Sequence, residues 1–286
     1  MIKILILCIL ITISFAQNEQ NDIQFNYNET DKVLTITGNG ELEQIDDYYK
    51  HKEVKEVIIQ NGITQISNGV FMNWKMNKIT IGSTIKSIGM FAFANCEQLE
   101  NIIFEQNSQL ESIGDFAFRD CVKLKEITLP KSLKSINFDK AFKGCYSLER
   151  IDIEEGGEYY SENNLIYSKD RTKLIYSHER KSLKTFEIKD EIIEINESLF
   201  EGSSIKSIIF SSNIKEIKEK AFYINTNITS LFIPENIEVI EKLAFAGSVN
   251  LERVVIVCIF QFMNTPFCIS VIPFSMITSV ASSLYL

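Results

Sequence analysis

An isoleucine followed five residues later by phenylalanine, usually with alanine between them at the last position, recurs along this chain at a nearly fixed step. It occurs as Ile66…Val70-Phe71, Ile88…Ala92-Phe93, Ile113…Ala117-Phe118, Ile195…Leu199-Phe200, Ile217…Ala221-Phe222 and Ile240…Ala244-Phe245. A seventh copy, Ile136…Ala141-Phe142, carries one extra residue. The phenylalanines step by 22, 25, 24, 58, 22 and 23 residues. A period in the twenties constrains a chain to a solenoid with one supersecondary unit per coil, because a single unit cannot bury its apolar face alone.

Each period holds two extended pieces. The first has the pattern aliphatic-x-x-aliphatic-x-aliphatic and starts at Val54, Met76, Leu99, Leu124, Leu148, Ile205, Ile228 and Leu251. Pro130 closes the copy that starts at Leu124, where a lost ladder donor costs least. The second piece is Ile63/Ile66, Ile85/Ile88, Leu110/Ile113, Leu133/Ile136, Ile192/Ile195, Ile214/Ile217 and Ile237/Ile240. The expected fold is a repeat solenoid: a parallel β ladder with two short extended segments and a short helical or irregular turn per coil. Residues 23–43 read as an N-terminal capping hairpin, with strands at Phe25–Tyr27 and Val33–Thr37 and a turn at Gly38-Asn39-Gly40. Residues 44–256 are expected to form the solenoid as one continuous, elongated array. A hairpin is inserted at about 156–184, with strands at Asn164–Tyr167 and Lys173–Tyr176, and Thr185–Ile188 starts the next coil.

The unit Leu124-Lys125-Glu126-Ile127-Thr128-Leu129-Pro130, together with Ile113-Gly114-Asp115-Phe116-Ala117-Phe118-Arg119-Asp120-Cys121, resembles the BspA-like type of leucine-rich repeat. The likeness extends over roughly residues 23–256. The Cys three residues after Phe is lost in the last three copies, and Gly after the second Ile survives only at Gly89 and Gly114. The resemblance implies a surface-exposed or secreted protein, associated with adhesion to host cells or matrix.

A net charge of -9 and a pI near 5.0 argue against a nucleic-acid partner, because neutralising phosphates needs a basic surface. Residues 1–16 read as a signal peptide: Lys3, an apolar run from Ile4 to Phe15, and Ser14-Phe15-Ala16 before cleavage. The rival reading is an uncleaved anchor, for which the run falls short of the ~20 residues that span a bilayer. Cys8 leaves with that segment. Cys96, Cys121 and Cys145 each follow a repeat Phe by three residues, so they form a ladder of small buried hydrophobes. Three aligned thiols without a His or a fourth ligand make a poor metal site, and no cofactor is expected.

The middle residue of each first strand is expected to point outward on the sheet face: Ile58, Thr80, Ile103, Thr128, Asp152, Ile209, Phe232 and Val255. Lys55, Lys78, Asn101, Glu126, Arg150, Ser207, Ser230 and Arg253 stand beside them. Such a ladder is an extended surface for a large partner, a protein or glycan on a host cell, matrix or neighbouring cell. The alternative is that these side chains only pack along the ladder. The insertion is locally basic through Lys169, Arg171, Lys173, Arg180, Lys181 and Lys184, which could meet an anionic surface but, as charge runs usually are, reads first as a solvated hairpin edge. Asn28, Asn196 and Asn227 start glycosylation sequons. Catalysis lacks its parts: His51 and His178 sit beside charged residues, and no nucleophile, phosphate loop or metal-spaced cluster accompanies them.

From Val254 to Leu286 the chain carries no charge, and Pro266 and Pro273 interrupt it. The tail over 257–286 has three readings: a membrane span, a lipid-anchor signal, or a degenerate end of the array. The sequence as a whole points to an extracellular or cell-surface binding and adhesion protein. The alternative is a structural or decoy coat protein without a specific ligand.

Overall fold

The computed structural model describes residues 22–177, 185–203, 205–258, 268–273 and 284–285. The expected signal peptide lies outside them, as do Arg180, Lys181, Lys184, His178 and much of the tail. The chain divides into two compact units, Met1–Leu148 and Glu149–Leu286. Each is a parallel β-solenoid with little helix, as the period requires.

In the first unit one sheet has the order β1 (Gln24–Asn28), β2 (Val33–Thr37), β4 (Glu56–Ile59), β6 (Lys78–Ile81), β8 (Asn101–Phe104). The strand β10 (Glu126–Leu129) repeats the pattern one coil on. The second sheet comprises β3 (Gly40–Leu42), β5 (Ile63–Ile66), β7 (Ser87–Ile88), β9 (Ser112–Ile113) and β11 (Ser135–Ile136). Coils of 22 to 25 residues absorb their differences between strands and keep equivalent residues in register: Val57 opposes Ile79, which opposes Ile102, while Ile66, Ile88, Ile113 and Ile136 form a second row. Strand alternation sends Val57 and Ile59 inward, and both are fully buried.

The N-terminal cap is more than a hairpin. β2 pairs parallel with β4, and β3 pairs parallel with β5, so residues 33–42 form a first coil and Gly40 lies in its second strand. Within this cap only β1 is antiparallel to its neighbour. Its Phe25 packs on Tyr49 at 5.5 Å, and the Tyr49 hydroxyl donates to the Phe25 carbonyl at 3.1 Å. These aromatics cover the end of the core, as a solenoid terminus demands. Tyr49 sits on α1 (Asp47–Lys50), whose Asp46 cap accepts from the Tyr48 N–H.

The Ala-Phe pair owes its recurrence to a third, turn-side ladder. The Phe71, Phe93 and Phe118 N–H groups donate to the Ala92, Ala117 and Ala141 carbonyls of the next coil at 2.8, 2.7 and 2.9 Å. Phe200 and Phe222 do the same to Ala221 and Ala244. Alanine is small enough for that approach, and these alanines are buried. The rings stack behind it: Phe71–Phe93, Phe93–Phe118 and Phe118–Phe142 lie 5.2, 5.3 and 5.4 Å apart and within 7° of parallel. In the second unit Phe200–Phe222 and Phe222–Phe245 repeat this at 5.2 and 5.1 Å. The turn is irregular except at the seventh copy, where the extra residue becomes a single turn of helix, α2 (Phe138–Ala141), capped by Asn137 accepting from Lys140 N–H at 3.1 Å. Gly89 survives because a Cβ there would lie 2.6 Å from the Asn68 side chain and 2.7 Å from its N–H.

Cys96, Cys121 and Cys145 are free and buried. Each thiol donates to the Phe carbonyl one coil back, Phe71, Phe93 and Phe118, at 3.0, 3.2 and 3.0 Å. Burial pushes the Cys96 thiol up to about 12, and the neighbouring Cys145 thiol and burial push Cys121 up as well. The two therefore stay protonated and unreactive at neutral pH. In the second unit Ser203, Asn225 and Ser248 fill the equivalent position, all buried. The Ser248 hydroxyl donates to the Phe222 carbonyl at 3.0 Å, the bond that cysteine makes elsewhere.

The second unit starts with β12 (Arg150–Ile153) and then a three-stranded antiparallel meander: β13 (Tyr159–Glu162), β14 (Leu165–Ser168), β15 (Lys173–Ser177). The expected hairpin is present, with an additional strand before it. β15 then pairs parallel with β17 (Glu194–Ile195). β16 (Thr185–Glu187) pairs with β18 (Ser207–Ile209), and β19 (Glu216–Ile217), β20 (Ser230–Ile233), β21 (Val239–Ile240) and β22 (Arg253–Cys258) complete the coils. Two pieces of the apolar tail add antiparallel strands: β23 (Cys268–Pro273) on β22, and β24 (Leu284–Tyr285) on β21. Among the described residues no helix is long and apolar enough to cross a membrane.

Candidate interaction surface

Alternation along the first strands turns one row of side chains outward in each unit. In the first unit, register aligns Ile58 with Thr80 and Thr80 with Ile103. Ile58 and Thr80 are half-buried, whereas Ile103 is 44% exposed and Thr128 is also exposed. In the second unit Asp152 is half-buried, Ile209 is 50% exposed and Phe232 55%, and Val255 opposes Phe232 in register.

The neighbouring row is polar. Lys78 opposes Glu56, so Glu56 and not Lys55 holds the equivalent position, and the two side chains pair at 2.9 Å. Arg150 pairs with Asp152 at 2.9 Å. Glu187 also belongs to the outward row, opposite Ile209, and sequence reasoning passed over it because the insertion interrupts the period there. Ser207, Ser230 and Arg253 are exposed beside the apolar residues. The result is a mixed face in the first unit and an apolar run, Ile209–Phe232–Val255, in the second. Large exposed apolar side chains grouped on a regular sheet are a feature of interaction sites more than of idle surface.

Among the described residues of the insertion, Lys169, Arg171 and Lys173 are each engaged. Lys169 lies 3.6 Å from Glu158, and Lys173 pairs with Glu194 at 2.7 Å. The Arg171 guanidinium sits 3.7 Å from the Tyr160 ring centroid, a cation–π contact. Nearby Lys189 pairs with Glu162 at 3.0 Å, which lowers the Glu162 carboxyl and raises the Lys189 ammonium from their usual values. The turn is closed by Asp170, which accepts from the Ser168 hydroxyl at 2.6 Å and from the Thr172 N–H at 3.1 Å; these bonds lower its pKa.

Of the sequons, Asn28 is exposed at a hairpin turn, its side-chain oxygen accepting from the Thr30 N–H at 2.9 Å; Asn196 and Asn227 are half-buried. His51 is exposed on a turn after α1. Among the described residues no group of three His, Cys, Asp or Glu is placed to hold a metal ion. One groove went unread in the sequence. It is open, holds about 520 Å³, and runs along the second sheet of the first unit past Gln65, Ser87, Ser112 and Ser135, with Asn68 and Asp115 at its side. Its signal was the polar residue, serine in three of the four, just before each second-strand Ile of the first unit.

Solved structures similar to this fold include bacterial leucine-rich repeat proteins. One from Eubacterium ventriosum has a TM-score of 0.62 at 24% identity, covering 82% of this chain and 70% of its own. The pneumococcal vaccine antigen PcpA has a TM-score of 0.56 at 21% identity, covering 82% of this chain and 74% of its own. A leucine-rich repeat protein from Bacteroides ovatus has a TM-score of 0.50 at 19% identity, covering 83% and 88%. These likenesses establish the fold. No curated protein matches the chain. The model of the BspA-type leucine-rich repeat region matches residues 43–172 and 175–268 in six copies. With most of its length matched, and with the coil rows just described, the chain belongs to the BspA-type leucine-rich repeat family.

Proposed function

We propose that the chain is a cell-surface or secreted scaffold that binds a protein or glycan on a host cell, matrix or neighbouring cell, and that the outward first-strand row of each unit makes contact. One observation carries the reading: Ile103, Ile209 and Phe232 stand 44%, 50% and 55% exposed on the outward rows of otherwise regular sheets. Burying such side chains against a partner releases ordered water, and a few aromatic or aliphatic anchors commonly hold most of an interface's energy. The reading is one of binding and involves no catalysis. Surface location is supported by family membership and by the name of one structural relative, a vaccine antigen. Membrane attachment through the tail remains part of the proposal, alongside its use as terminal strands.

The full chain is expected to bind intact host cells or matrix saturably. Ile103→Asp, Ile209→Asp and Phe232→Asp together should weaken binding by at least about a hundredfold, the effect of losing two or three anchors of about 1–2 kcal/mol each. Circular dichroism of the variant should match the parent. Unchanged binding by a folded triple variant would overturn the reading, and non-saturable adherence would favour a coat protein without a specific ligand.

A further inference from the structure

The outward row of the second unit has an order that suits it to itself. Glu187 opposes Ile209 in register, and Phe232 opposes Val255, while Arg253 lies two residues before Val255 on the same strand. Between the acid at one end and the base at the other stand Ile209 and Phe232, half-exposed, flanked by the uncharged and exposed Ser207, Ser230 and Thr229. Four successive coils at about 4.8 Å make a stretch roughly 14 Å long.

We propose that this stretch pairs weakly with the same stretch of a second copy of the chain. This rests on reading the sheet face as an interaction surface. A two-fold axis running along the strands, between the coils of Ile209 and Phe232, reverses the coil order of the facing copy. Ile209 then meets Phe232 twice at the centre. Glu187 at each end meets the coil that carries Arg253. Such an isologous contact needs a self-complementary patch. Here the apolar pair is complementary in the middle and the charges are complementary at the edges. Reversing the order is what avoids like charges; the opposite alignment would set Glu187 on Glu187. A face only a few coils wide buries far less than a permanent dimer does, so the pairing is transient in solution. Copies held close together on one surface would pair more fully, because local concentration replaces affinity.

The test is sedimentation equilibrium of the purified full chain over a concentration series, with cell binding measured in parallel. The parent should show a reversible monomer–dimer equilibrium. Glu187→Arg or Arg253→Glu alone should weaken association about tenfold, since each turns two attractions into two repulsions. The double variant carrying both reversals should return to within about threefold of the parent, which misfolding would not do. Phe232→Glu should leave a folded monomer. A parent that stays monomeric at every concentration, or a double variant no better than the singles, overturns the pairing. A monomeric parent that still binds cells saturably overturns the pairing alone and leaves the proposed function standing.

Discussion

Phe118→Ala is expected to destabilise the first unit by about 3–5 kcal/mol, the usual cost of emptying a core site of its aromatic ring. Phe118 is fully buried, with Phe93 at 5.3 Å on one side and Phe142 at 5.4 Å on the other. The site cannot relax by closing. The Phe118 N–H is held to the Ala141 carbonyl at 2.9 Å, and the Phe118 carbonyl accepts the Cys145 thiol at 3.0 Å. Backbone on both sides of the hole is therefore pinned. Because each coil is stabilised mainly by its neighbours, the damage should extend to adjacent coils. Urea unfolding followed by circular dichroism should shift to lower denaturant, and hydrogen exchange should accelerate first between Ile113 and Phe142. Phe118→Leu, which keeps an apolar side chain of more similar volume, should cost only about 1 kcal/mol. A loss of less than about 1 kcal/mol from Ala would mean that the Phe row does not hold the coils together, and a Leu variant as damaged as Ala would mean that ring stacking rather than filled volume does so.

In the second unit Asn225→Ala should cost about 2–4 kcal/mol, more than its small volume suggests. Asn225 is fully buried; its amide nitrogen donates to the Ser203 hydroxyl at 2.6 Å, and its oxygen accepts from the Asn227 and Ile228 N–H groups at 3.1 and 3.3 Å. Alanine strands a buried backbone donor and a buried hydroxyl at once, and each unmet group costs about 1–3 kcal/mol. Asn225→Cys should cost less. Sulfur at this place can bond the Phe200 carbonyl as Cys96 bonds Phe71, although the Ile228 N–H still loses its acceptor. Thermal unfolding of the two variants tests the order. A cysteine variant as damaged as the alanine one would show that the polar ladder is not a replacement for the thiol ladder.

That ladder shows how far the sequence could be read. Equal spacing placed Cys96, Cys121 and Cys145 in one buried row, and strand alternation placed Ile103, Ile209 and Phe232 outward, because both depend only on periodicity. Ser203, Asn225 and Ser248 looked like a loss of consensus, since nothing in a lone sequence reveals that a polar residue has found a partner one coil away, as Ser248 finds the Phe222 carbonyl and Asn225 the Ser203 hydroxyl. Backbone shape was hidden for a related reason. The residue two before each turn Phe adopts positive φ at Phe91, Phe116, Ser198, Lys220 and Leu243, none of which announces a turn as Gly69 does. At Phe91 and Ser198 an inter-coil hydrogen bond, from their N–H to the Asp115 and Glu219 carbonyls at 3.3 and 3.2 Å, helps to hold a conformation that the side chain disfavours. Tyr159–Glu162 was missed as a strand because Gly156-Gly157 ended the preceding pattern and Tyr-Tyr-Ser-Glu alternates neither in size nor in polarity. Charge partners were hidden too, because sequence lists charges without them; Glu158 and Glu194, which engage Lys169 and Lys173, lie outside the basic run itself.

An adhesive role requires the repeats to stand outside the cell. The direct measurement is protease shaving of intact cells expressing the full chain with an epitope tag in the Ser168–Thr172 turn, an exposed loop tip that should accept an insertion. The account predicts that the tag is present on washed cells or in the medium and is removed by external protease. A tag found only inside the cell, protected until lysis, would contradict it.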